Sequence, residues 1–308
     1  MALLNGPSLK QAEVIRLELG EGPGDVERGI RDLQSMCAAS THLPRQELLD
    51  DNLLQLFVRG CRMDMERARA KFEAFCLSRS RHQDLYEHRS LNEPPLNDVC
   101  KFIDIVPMPN LTDEGYRVTV FRIRPGYPES AGDIAAAVRA VLLVSDCRMR
   151  DEQLIAGDVF IWEVSLPLRM SIAARVAPAF GAVRRAIQLA HAAYPQRLKR
   201  VHIVGAQPFF ASTLQLIRSC VNEKVRKRFW VHSKAEELLD HIPVRVLPEE
   251  WGGSEDSIDI VAKLWRRRVD DSRDYLRRLN ELGNSDKAPL KNNDIYGVVG
   301  AFRKLDID

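Results

Sequence analysis

The chain has 308 residues, 45% of them hydrophobic and 29% charged, with 45 Lys and Arg against 43 Asp and Glu. That length supplies a core for one large domain or two small ones, and the composition excludes a collagenous, low-complexity or wholly disordered chain. A formal net charge of +2 excludes a protein that is basic throughout, such as a general nucleic-acid coat, yet leaves room for a local basic face.

In chain order, residues 1–24 lack a continuous apolar stretch and carry acids early, so no signal peptide is expected. Residues 26–33 begin an amphipathic helix with Ile30, Leu33, Met36 and Cys37 on one stripe. Pro44 is placed to open a second helix, because a proline is tolerated in the first turn, and Leu48, Leu49, Leu53, Leu56 and Phe57 follow at helical spacing. After Gly60 a third helix is predicted over 65–81, with Ala68, Phe72, Phe75 and Cys76 inward. Residues 91–109, rich in Pro and Asn, read as a linker out of this helical module.

From Tyr116 the period changes. Strands are predicted at 116–123, 157–163, 200–205 and 229–232, separated by helices at 133–144, 171–193 and 209–228. Strands alternating with helices mean crossover connections and a mainly parallel sheet. A last amphipathic helix follows Gly252-Gly253, with Ile258, Val261, Trp265, Val269, Leu276 and Leu279 on its stripe, and a polar tail closes the chain. The expected organisation is a helical module over 1–95, an α/β domain over 96–253, and a C-terminal helix and tail over 254–308.

The devices of catalysis are missing from the sequence. No GxxxxGK[ST], GxGxxG or GxSxG motif occurs, and no histidine pair has ligand spacing. His202 and His232 on predicted strands read as hydrogen-bonded structural residues. Six cysteines without a CxxC pair read as reduced thiols. No enzyme, cofactor or metal is therefore expected.

The informative stretch is 184–228. It holds ten bases (Arg184, Arg185, Arg197, Lys199, Arg200, Arg218, Lys224, Arg226, Lys227 and Arg228) against the single acid Glu223. The segment carries +9, so a total of +2 leaves −7 for the rest of the chain. Phe209, Phe210, Leu214, Ile217 and Val221 recur there at helix spacing, so a greasy face adjoins a cationic tip. Three readings stand: charges solvated beside a core helix, an anionic membrane contact, or nucleic acid. The last is disfavoured because aromatics are not interleaved with the bases.

Three blocks carry a resemblance: AYPQRLKRVHIVGAQPFF (193–210), NEKVRKRFWVHS (222–233) and IPVRVLPEEWGG (242–253). In order and spacing they resemble the CRAL-TRIO lipid-binding family, in particular the group of tocopherol-transfer, retinaldehyde-binding and clavesin proteins with its insect-type members. LLQLFVRGCRMDMERA (53–68) is similar to that family's N-terminal helical module, so the likeness spans about residues 25–282.

The resemblance implies an α/β fold with a hydrophobic cavity between the sheet and a mobile gate helix, which opens at a membrane to exchange one lipid. By position, Phe209, Phe210, Leu214, Ile217 and Val221 fall on the gate. Arg197, Lys199, Lys224 and Arg228 fall where relatives present bases to phosphoinositide head groups. Cavity-wall candidates are Val120, Phe121, Ile123, Val159, Ile161 and Ile187. The implied partners are a retinoid, tocopherol-like or other isoprenoid lipid and an anionic phosphoinositide membrane, with no nucleic acid. The implied location is cytoplasmic, peripheral and transient at membranes. The other readings are a phosphoinositide-dependent sensor or exchanger, and a protein-binding adaptor that has lost the lipid.

The sequence also departs from the family pattern. Glu163 stands where the family's buried strand usually has Asp, and Leu166 where it has Gly. Trp162 is bulky for a cavity wall unless strand alternation turns it away. Cys61 stands where relatives often carry a second Arg, with Arg62 immediately after.

Overall fold

A computed structural model describes residues 3–87, 89–124, 133–152, 154–164, 171–206 and 210–283. The N-terminal part is helical: α1 (Leu9–Leu19), α2 (Asp25–Ala39), α3 (Asp51–Gly60), α4 (Met65–Arg81), α5 (Gln83–Tyr86) and α6 (Leu96–Phe102). A five-stranded sheet and its crossovers follow: β1 (Ile103–Leu111), β2 (Tyr116–Ile123), α7 (Ile134–Asp151), β3 (Gly157–Glu163), α8 (Ser171–Ala193), β4 (Leu198–Val204), α9 (Phe210–Ser219), α10 (Glu223–Arg226) and β5 (Phe229–His232). The described chain closes with α11 (Ile258–Asp270) and α12 (Arg273–Glu281).

The strand order is β1-β2-β3-β4-β5, with β1 antiparallel to β2 and every other pair parallel. Each parallel crossover steps to the next neighbour in the same direction. Because such crossovers are right-handed, α7, α8 and α9 gather on one face of the sheet. Side-chain contacts agree. Arg117 and Asp158, cross-strand neighbours on that face, pair with Glu152 at the end of α7 and Arg148 on it, and Arg218 of α9 lies over Phe229 of β5 at 5.5 Å. The opposite face lies under the segment after β5: Arg122 pairs with Glu250 and Asp259, and the His241 ring lies 5.5 Å from that of His202. Helix α11 runs along β1, where the Trp265 indole donates to the Pro107 carbonyl at 2.7 Å.

The N-terminal helices build their core against the sheet domain. Phe57 meets Phe72 and Phe75 edge-on at 5.1 Å each, and Phe75 meets Tyr194, just past α8, at 5.5 Å. Buried Lys71 donates to the carbonyls of His191 and Tyr194, satisfying acceptors that α8 leaves orphaned at its C-terminus. At Gly60 an added Cβ would stand 2.1 Å from the Pro195 carbonyl oxygen, so only glycine allows α3 to approach this closely.

Four expectations change. No helix starts at Pro44: a 3₁₀ turn covers Gln46–Leu48, and α3 starts afresh where the Asp50 carboxylate accepts from the Asn52 amide. Residues 91–109 are not a linker but contain α6 and most of β1. The 209–228 helix is two helices, because the Asn222 side chain caps α10 through the Val225 amide. The last amphipathic helix also breaks, at buried Ser272. Helix α1 was not expected at all.

Candidate functional site

Strand alternation sorts the sheet residues between its two faces. The register pairs Val120 with Ile161 and Val118 with Val159, all fully buried against the segment that follows β5. The next residues, Phe121, Ile123, Phe160 and Trp162, point to the face under α8 and α9. Phe121 and Trp162 stack at 4.2 Å with planes 7° apart, and Phe121 meets Phe160 edge-on at 5.3 Å. The two faces differ in burial: Val118, Val120, Val159 and Ile161 on one are fully buried, while Ile105, Ile123, Phe160, Trp162 and Phe229 on the other are only half-buried. A closed apolar core fills its space at near-crystalline density. The half-buried apolar side chains thus lie on the face beneath the two helices.

The roof over that row is α9 with the described part of α8, and the two helices contact one another. Leu214 is buried in the main core, Ile217 and Val221 are half-buried, and Ile187 is half-buried on α8. Phe209 and the side chain of Phe210 lie outside the described residues, as does Leu166. Among the sequence candidates, the structure therefore brings Phe121, Ile123, Ile187, Leu214, Ile217 and Val221 to the helical side. It sets Val120, Val159 and Ile161 on the other. Glu163 shares that other face beside Arg122, and burial pushes its carboxyl above the usual range. Trp162, against the alternative that alternation turns it away, is on the helical side.

The bases gather at the opposite end of the sheet, where β4 and β5 begin. Arg197 donates to the Ala156 carbonyl at 3.0 Å and lies 3.6 Å from Glu18 of α1; Lys199 is paired with the same carboxylate. Burial pushes both cations down from their ordinary pKa values, and Glu18 opposes it. Arg228 donates to the Leu198 carbonyl, and Lys224 is exposed on α10. Arg62 also reaches this cluster, close enough for its charge to depress the pKa of Arg197, from a turn where its φ is 58°. Cys61 beside it is fully buried. The four bases named from the sequence thus share one end of the sheet, two of them tied down by an acid 179 and 181 residues away.

His202 and His232 form a structural pair. Their rings share a hydrogen bond of 2.8 Å, Nδ1 to Nε2, with the His241 ring tilted against both. Burial, then the neighbouring imidazoles, push His202 down to about 3. The ring is neutral at neutral pH and holds β4 to β5.

Comparison with known proteins sets this fold beside a named family: residues 104–253 match the family model of the CRAL/TRIO domain. The mouse alpha-tocopherol transfer protein-like protein is 26% identical over 255 residues, covering 79% of this chain and 70% of the relative. Rat clavesin-2 is 26% identical over 259 residues, covering 80% and 75%. The crystal structure of Sfh5 superposes with a TM-score of 0.50 at 12% identity, over 83% of this chain and 92% of that one, which is a likeness of fold alone. Among the described residues, no helix is long and apolar enough to cross a membrane.

Proposed function

We propose that this chain is a non-catalytic carrier that binds one hydrophobic small molecule, of retinoid, tocopherol-like or other isoprenoid class, and transfers it between membranes bearing phosphoinositides. The observation that carries the reading is that buried Phe121 and half-buried Ile105, Ile123, Phe160, Trp162 and Phe229 face α8 and α9, while Val118, Val120, Val159 and Ile161 on the opposite face are fully buried. A flexible isoprenoid chain laid along that row leaves water at a gain of about 0.8 kcal/mol per buried methylene. Flat, stacked Phe121 and Trp162 give it a smooth wall whose one polar group is the indole N–H of Trp162. A relative whose name states tocopherol transfer supports the ligand class.

Release requires α9 to lift, and a membrane supplies the reason. The bases at the entries of β4 and β5 draw an anionic surface, each contributing about 1 kcal/mol near the lipid. We place the docking bases at Lys224 and Arg228, supported by Arg197 and Lys199, within a cytoplasmic protein that is peripheral and transient at membranes. The domains we assign are the helical module to residue 95, the lipid-binding domain over 96–253 and the C-terminal helices and tail over 254–308.

Transfer of a fluorescent isoprenoid between vesicles tests this. With phosphoinositide in the acceptor, Lys224→Glu combined with Arg228→Glu is expected to slow transfer at least tenfold while affinity for the ligand in solution stays the same. An unchanged transfer rate would remove the electrostatic docking step.

A further inference from the structure

Among the residues whose side chains are described, Trp230 is the only exposed aromatic: every other Phe, Tyr and Trp is buried or half-buried. It is 46% exposed, and Val231 beside it is 52% exposed. Both lie on β5, a four-residue strand at the edge of the sheet, so among the described residues one flank of its backbone has no strand neighbour. Such edges ordinarily carry charged side chains that discourage pairing. Here the tip is apolar and aromatic, and the positive charge sits just before it, on Lys224, Arg226, Lys227 and Arg228, while Lys234 and then Glu236, Glu237 and Asp240 follow the strand. The Trp230 ring is held rather than loose, 5.0 Å from the His241 ring and 6.4 Å from the buried His202 ring.

We propose that Trp230, with Val231 turned to the other face of the same edge strand, forms an anchor that seats β5 in the interfacial layer of an anionic bilayer. The inference rests on the membrane-docking reading above and adds to it the element that enters the lipid. A tryptophan has a large apolar body and one polar N–H, so it settles where acyl chains meet head groups. The bases that precede the strand match the negative surface potential of an anionic leaflet. A partner strand would meet the same edge through its backbone, but these cations give it no advantage, whereas they favour phosphate.

The test uses the full chain on vesicles of phosphatidylcholine and phosphatidylserine, with and without brominated acyl chains. Trp251 and Trp265 are fully packed inside and Trp162 faces α8 and α9, so quenching by the brominated lipid reports Trp230. The wild type is expected to lose part of its fluorescence on binding, and Trp230→Phe to lose that quenched component. Trp230→Ala is expected to weaken vesicle binding roughly tenfold, from the apolar area no longer buried, with an unchanged melting temperature. Vesicles that bind the wild type without quenching it, or that bind Trp230→Ala equally well, overturn the anchor and leave the β5 edge to a protein strand. The Lys224→Glu, Arg228→Glu protein separates the two claims: if its binding falls while Trp230→Ala binds normally, electrostatic docking stands and the anchor fails.

Discussion

Asp158→Ala is expected to destabilise the protein by about 3–5 kcal/mol, seen as a fall in melting temperature of roughly 5–10 °C. Asp158 is fully buried at the start of β3, with one carboxylate oxygen 2.6 Å from Arg148 on α7 and the other accepting the Arg197 amide at 3.1 Å. Burial pushes the carboxyl above its usual range, and Arg148 pulls it back. Removing the carboxylate strands a guanidinium that is itself buried. The remaining acid nearby, Glu152, is already bound by Arg117 through two contacts of 2.8 and 2.9 Å. The cost therefore comes from the abandoned partner more than from the lost contact. Replacing both members, Asp158→Leu with Arg148→Met, is expected to recover most of the stability, because no buried charge is then left alone. A calorimetric scan of the single variant matching wild type within about 1 °C would contradict the ion-pair assignment.

Leu214→Asp is expected to speed dissociation of a bound fluorescent isoprenoid by roughly 30–100-fold. Leu214 of α9 is buried in the main core, and truncating or charging such a side chain removes about 2–3 kcal/mol of closure. At about 1.4 kcal/mol per decade that range sets the expected rates. Gln215→Asp, one position along on the exposed side of the same helix, adds the same charge without touching the closure. Stopped-flow release is therefore expected to separate the two variants, and equal rates would mean that α9 does not seal the ligand.

Much of this fold was legible because its elements have strong periods. The bounds of α4, β2, α8 and β5 and of β3 follow from helical or alternating patterns that tertiary packing had no cause to override. Strand β1 escaped notice because its IDIVPMPNL carries two prolines, which are tolerable only on an edge strand with a bulge between Pro107 and Leu111. Helix α1 carried a readable signal that was passed over: Ser8 and Gln11 form a capping box and Gly20 closes the helix in a left-handed conformation. Its exposed Leu9 and Leu17 blur the hydrophobic stripe.

The charge pattern around the proposed site was legible, but its geometry was not. The +9 segment and its helix stripe were visible by counting. That Lys199 and Arg197 are partly neutralised by Glu18 was not, because helix α1 is distant in sequence. The choice between Val120 and Phe121 as cavity wall is a question of which face the crossovers cover, and a one-residue change of parity reverses it. Trp230 illustrates the same point: its place on an uncovered edge follows from β5 being last in the strand order, which no local pattern records.

Native mass spectrometry of the purified protein, followed by solvent extraction, tests the central claim most directly. The expected result is a mass excess of one small hydrophobic molecule per chain, lost on extraction and restored by incubation with vesicles containing an isoprenoid lipid. A chain that carries no such mass, and that takes up none from retinoid- or tocopherol-loaded vesicles, would contradict the carrier function.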